Sequence, residues 1–139
     1  MKTFIRWLLI LPASVAAWYL ALAAGIVLLA ALNGLCPPDQ LVSGACIAPW
    51  HRTASLAMMC FGAGLAATLI LIVCTLLAPT HKPQVAVAAY VIGVAVACTM
   101  GIAATAYAAM ASAIVVGAGI LALLLRRLNQ ERAREISRS

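Results

Sequence analysis

The chain has 139 residues, of which 66% are hydrophobic and only 9% are charged. In a soluble domain roughly a quarter of the residues are charged, so this composition excludes a soluble globular domain and predicts an integral membrane protein. The net charge of +6 does not indicate nucleic-acid binding, because five of the nine basic residues lie in the segment 126–139, directly after a long apolar run. Basic residues in that position are typical of a cytoplasmic helix end.

The first apolar run covers residues 7–32 and follows Lys2 and Arg6. At about 1.5 Å of rise per residue, it can cross a hydrocarbon core of about 30 Å. The basic start and the small residues 13–17 are also typical of a signal peptide, but the apolar stretch continues to Leu32, beyond the length of a signal h-region. We therefore expect an uncleaved first membrane helix.

The segment 33–52 interrupts this pattern with glycines, prolines and an aspartate, which predicts a loop. A second apolar run covers 53–78, and a short polar turn bracketed by Pro79 and Pro83 follows it. Because proline disfavours helical geometry in the residue before it, this turn is expected to end the second membrane helix.

The last apolar run, 85–125, is too long for a single span of about 20 residues. Two helices, about 85–106 and 110–128, fit its length, although no glycine or proline marks the turn between them. Four spans also satisfy the positive-inside rule, since they place Lys82 and the basic tail 126–139 on the side of the N-terminus. The sequence therefore predicts an all-α fold, a single transmembrane domain over 1–139 that forms a four-helix bundle with both termini inside.

Two cysteines, Cys36 and Cys46, flank the loop 33–52. In an oxidising outer compartment we expect them to form a structural disulfide that stabilises the loop by about 2–4 kcal/mol. Two unpaired thiols and a redox-active pair are the alternatives. The four-helix layout resembles that of the quinone-linked thiol oxidases of bacterial membranes. Those enzymes use a close pair, commonly Cys-x-x-Cys, and a second pair, whereas nine residues separate Cys36 from Cys46. This departure disfavours thiol exchange.

The predicted spans contain few residues suited to chemistry. A soft metal could use a set of sulfur and imidazole ligands, but no Cys-x-x-Cys or Met-x-x-x-Met pair is present. The candidate ligands are His51, Met58, Met59, Cys60, Cys98 and Met100. The charged residues between positions 7 and 125 are confined to predicted loops or helix ends, whereas small multidrug exporters of similar size couple to protons through a membrane-embedded glutamate. We predict no catalytic residue, no metal site and no cofactor.

The third predicted helix carries a small residue at every fourth position, which forms a stripe along one face: Ala89, Gly93, Ala97, Gly101 and Thr105. Small residues let helix backbones approach closely in lipid, where little hydrophobic force drives association. We expect this stripe to pack within the bundle, and the alternative is that part of it docks a partner protein or another copy.

The basic tail 126–139 can extend the last helix into the aqueous phase. Its arginines set the topology, and they are candidates for contact with anionic lipid headgroups or with an acidic partner; they are Arg126, Arg127, Arg132, Arg134 and Arg138.

These features favour a small non-enzymatic accessory or scaffold subunit of a membrane complex, associated with the lipid bilayer and with a membrane-protein partner or itself, and with no role in nucleic-acid binding. One alternative is a small oligomeric transporter or channel for a neutral, lipidic or soft-metal species, and a second is a membrane thiol–disulfide oxidoreductase. The expected location is the bacterial cytoplasmic (inner) membrane, with the loop 33–52 on the periplasmic side.

Overall fold

A computed structural model of the protein describes residues 2–43, 45–78 and 81–136. Its helices are α1 (Lys2–Gly34), α2 (Pro49–Leu77), α3 (Lys82–Ala103) and α4 (Tyr107–Ile136). Each contains an apolar stretch long enough to cross a membrane. The predictions of an all-helical chain and of four such helices are therefore confirmed.

Several helices are longer than the apolar runs in the sequence, because residues that flank the runs also adopt helical conformation. Helix α2 begins at Pro49 rather than near residue 53. Proline favours the first helical positions, since its fixed φ suits the helix and its missing N–H has no partner there anyway. Helix α4 continues past its apolar stretch to Ile136, so most of the basic tail is helical.

The connection between α1 and α2 has regular structure of its own. A 3₁₀ turn at Pro38–Gln40 leads into two short antiparallel strands, β1 (Leu41–Val42) and β2 (Ala45–Cys46). Leu41 pairs with Cys46, and the backbone N–H of Ile47 donates to the carbonyl of Gln40 at 3.0 Å. The loop is thus a small hairpin set across the ends of two membrane helices.

Helix α2 is central in the bundle, since it packs against each of the other three helices, while α3 also packs against α4. Side-chain hydroxyls link neighbouring helices: Ser112 on α4 donates to the carbonyl of Cys60 on α2 at 2.9 Å, and Tyr90 on α3 donates to the carbonyl of Ile114 on α4 at 3.2 Å. Close packing of this kind, with interhelical hydrogen bonds, is how membrane helices associate.

The interior contains mainly small side chains, and large apolar ones cover the outside. The most buried positions include Ala17, Ala21 and Ala86, whereas Leu20 is 67% exposed and Leu76 is 76% exposed. A water-soluble bundle would turn its leucines inward, because burial of apolar area is its main source of stability. An outer surface of this kind matches a hydrocarbon environment.

The turn between α3 and α4 is a Schellman motif in which the left-handed position is occupied by threonine instead of glycine. The N–H of Ala106 donates to the carbonyl of Gly101 at 2.9 Å, and the N–H of Thr105 donates to that of Ile102 at 3.3 Å. Thr105 has φ = 52°, a left-handed conformation that is strained for a β-branched residue and that glycine adopts freely.

Replacing Thr105 by glycine is therefore expected to stabilise the fold by about 1 kcal/mol, since the left-handed strain of roughly 1–2 kcal/mol disappears. The free energy of unfolding in mixed micelles measures this gain. Thr99→Gly is the matched control, because Thr99 lies within α3, where glycine should destabilise slightly. An unfolding free energy that falls equally in both variants would show that Thr105 carries no such strain.

Candidate functional site

The disulfide predicted in the loop is present. Cys36 and Cys46 are bonded, with their Cα atoms 6.0 Å apart. The hairpin brings the two residues together because Cys46 pairs with Leu41, close to where Cys36 leaves α1. Both sulfur atoms are therefore engaged in a covalent cross-link that closes the base of the hairpin.

A hydrogen bond also joins the two helix ends beneath this hairpin. Nε2 of His51, in the first turn of α2, lies 2.8 Å from Oδ1 of Asn33, in the last turn of α1. With the amide oxygen as acceptor, Nε2 must carry the proton. The ring of Trp50 lies beside the imidazole, with ring centroids 5.8 Å apart. The imidazole therefore helps hold the two helix ends together. Its hydrogen-bond partner is the side-chain amide of Asn33, which is not a catalytic nucleophile.

The remaining cysteines lie within helices. Cys60 and Cys74 belong to α2 and Cys98 to α3. Cys60 and Cys74 are fourteen residues apart, a rise of about 21 Å, so they cannot pair with each other. In the part of the chain that the structure describes, no three His, Cys, Asp or Glu residues come together as a metal site would need.

A groove with a volume of about 670 Å³ lies between α1 and α3, and the first two turns of α4 also line it. Its α1 wall lies between Ile10 and Trp18, and its floor on α2 contains three small residues, Ala63, Ala66 and Ala67. Four members of the predicted stripe line its α3 wall; they are Ala89, Gly93, Ala97 and Gly101. The groove thus has small side chains on two adjoining helices.

The members of the stripe differ in their surroundings. A Cβ atom added at Gly93 would meet no atom within 4 Å, whereas one added at Gly101 would lie 2.7 Å from Cβ of Met110 on α4. Thr105 lies in the turn after α3 rather than on the helix. The stripe therefore packs tightly against α4 at Gly101 and borders open space at Gly93.

The groove presents almost no polar chemistry. The hydroxyl of Ser14 donates to the carbonyl of Leu11 at 2.8 Å in its own helix, and that of Tyr90 donates to Ile114 on α4. Both hydroxyl protons are thus already used by the protein. An occupant of the groove would be selected by shape and apolar contact rather than by hydrogen bonding.

Basic residues lie at the end of the bundle where α3 begins and α4 ends. Lys82 is exposed at the start of α3, one turn before the groove residue Val85. Arg126, Arg127 and Arg134 are exposed on α4. Arg132 also belongs to helix α4, and Arg138 lies outside the described residues.

The groove itself was not predicted from the sequence. Its floor on α2 could have been suspected from the alanines at spacings of three and four, but the α1 wall consists of ordinary large apolar residues with no distinguishing pattern. Comparison with known protein families, with curated proteins and with solved structures gave no match.

Proposed function

We propose that this chain is a non-enzymatic accessory or scaffold subunit of a membrane complex, in the bacterial inner membrane. The observation that carries the proposal is the open part of the small-residue stripe, centred on Gly93. An added Cβ there would have no neighbour within 4 Å, so packing within the chain does not require glycine at this position.

Glycine within a helix destabilises the folded chain, so we expect another interaction to compensate at this position. In a helix interior it is about 0.8–1 kcal/mol less favourable than alanine. In a membrane, small residues on an exposed helix face give a partner helix the close approach on which association depends. Contact with a partner in the assembled complex would offset the penalty at Gly93.

The proposed orientation follows from the distribution of basic residues. Of the eight basic residues within the described ranges, Arg52 alone belongs to the end of the bundle that carries the disulfide hairpin. The other seven are Lys2, Arg6, Lys82, Arg126, Arg127, Arg132 and Arg134. The positive-inside rule assigns the basic end to the cytoplasm, and a disulfide is favoured in the oxidising periplasm. Both termini would then be cytoplasmic and the loop 33–52 periplasmic.

The test uses two glycine variants in the cell that naturally makes the protein. Gly93→Leu is expected to reduce the amount of co-purifying membrane protein at least tenfold after mild detergent extraction, because the leucine fills the docking face. Gly119→Leu is the control, since Gly119 is equally open on α4 but does not line the groove. A chain that purifies alone in every case, or with undiminished partner in Gly93→Leu, would contradict the proposal.

The second candidate, a small oligomeric carrier of a neutral or lipidic species, is favoured by the groove's almost wholly apolar lining. It predicts that the purified chain retains lipid and releases it in Gly93→Leu. The soft-metal form of this candidate requires the free cysteines, so it predicts lower metal tolerance when Cys60, Cys74 and Cys98 are all replaced by serine.

A further inference from the structure

We infer that the groove between α1 and α3 receives one transmembrane helix of a different protein, and that this helix carries acidic residues next to Lys82. The inference rests on the proposed function and names the class of partner. Three features support it: the size of the side chains that line the groove, the length of the groove and the charge at one of its ends.

The side chains on the floor and on the α3 wall indicate a helix rather than bilayer lipid. The stripe on α3 and Ala63, Ala66 and Ala67 on α2 bring small residues from two adjoining helices to the same space. Elsewhere this chain exposes large side chains such as Leu20 and Leu76. Large exposed side chains such as Leu11, Ile92 and Met100 flank these small residues in the groove. Small residues are concentrated where membrane helices approach one another, so the strip of alanine and glycine between the large side chains is the part of the groove that suits a helix.

The length of the groove also suits a helix that crosses the membrane. Its α3 wall runs from Val85 to Gly101, a rise of about 24 Å at 1.5 Å per residue. This is most of a hydrocarbon core of about 30 Å. About four turns of a partner helix could therefore lie along it.

The basic residues near one end of the groove would favour some partner helices over others. Lys82 is exposed one turn before Val85, and α1 begins with Lys2 and Arg6 shortly before the groove residue Ile10. A helix with acidic residues at this level would be attracted, whereas a basic flank would be repelled. The corresponding ends of α1, α3 and α4 are themselves basic, so a second copy of this chain would bring like charges together.

Synthetic helices test this inference on the full chain in bicelles of zwitterionic lipid. Two peptides share a leucine-rich core with glycine at every fourth position and differ only at one end, which carries either two glutamates or two lysines. Fluorescence energy transfer to the labelled chain measures association. We expect the acidic peptide to bind roughly tenfold more tightly, since each near-surface charge pair contributes up to about 1 kcal/mol.

Three variants locate the interaction. Gly93→Leu should abolish binding of the acidic peptide, and Gly119→Leu should leave it unchanged. Lys82→Glu should reduce the preference for the acidic peptide at least threefold. A Cβ atom added at Gly93 or Gly119 meets no neighbouring atom within 4 Å, so we expect both glycine variants to keep the fold.

Several results would overturn the inference. Equal binding of both peptides would exclude charge selection, and binding retained in Gly93→Leu would exclude the groove. Phospholipid that stays bound in native mass spectrometry, together with absence of peptide binding, would identify lipid as the occupant. Self-association lost in Gly93→Leu would identify a second copy. In each case the proposed accessory role is tested separately, by whether Gly93→Leu loses its natural partner in the cell.

Discussion

Removal of the disulfide by the double substitution Cys36→Ser and Cys46→Ser is expected to lower the free energy of unfolding by about 2–3 kcal/mol. The bridge joins residues separated by ten positions, and closing a loop of that length restricts the unfolded chain by an amount of this order. The effect should be largest at the hairpin end, where the bridge connects the end of α1 to the start of α2.

Unfolding in mixed micelles, measured by circular dichroism under oxidising and reducing conditions, checks this prediction. The reductant should destabilise the unsubstituted chain by the same amount and leave the double variant unaffected. Cys98→Ser is the control, because Cys98 has a free thiol. An unfolding free energy that does not change on reduction would show that the bridge does not stabilise the bundle.

Replacing Gly101 by leucine is expected to destabilise the protein by roughly 1–3 kcal/mol. A Cβ atom at this position would lie only 2.7 Å from Cβ of Met110, which belongs to the rigid base of that side chain. The new side chain would force α3 and α4 apart just before the Schellman turn that joins them.

Gly93→Leu provides the matched comparison, since both glycines belong to the same stripe on α3. A Cβ atom added at Gly93 meets no neighbouring atom within 4 Å, and leucine is the better helix former by up to about 1 kcal/mol. Unfolding titrations of the two variants should therefore shift in opposite directions. If Gly93→Leu destabilised the isolated chain as strongly as Gly101→Leu, the stripe would be packed along its whole length.

Composition and spacing were sufficient to predict the helices and the disulfide, since each depends on local properties of the chain. Apolar runs long enough to span a bilayer are visible in the sequence, and so are two cysteines at the ends of a short loop. The turn between α3 and α4 was weakly marked for a definite reason. Thr105 occupies the left-handed position that glycine usually takes, so the usual sequence signal is missing.

The candidate site could not be predicted in the same way. A small residue at every fourth position predicts a helix face suited to close packing, but it does not determine which neighbour covers that face. Gly101 and Gly93 are equivalent in the pattern and both line the groove, yet a Cβ atom would meet Met110 at Gly101 and no atom within 4 Å at Gly93. Gly101 lies two residues before the end of α3, where α4 returns after the turn and packs against it, whereas Gly93 lies farther from that turn.

We infer that four membrane spans place the disulfide hairpin and the basic end on opposite sides of the membrane, and cysteine labelling in intact cells tests this central claim most directly. Single cysteines are introduced at Thr53, Lys82 and Gln130, each exposed near a helix end, in a chain whose three free cysteines are replaced by alanine. A membrane-impermeant maleimide is expected to label the cysteine at position 53 in intact cells, and those at 82 and 130 only after lysis. Labelling of positions 53 and 130 together in intact cells would contradict the four-span arrangement.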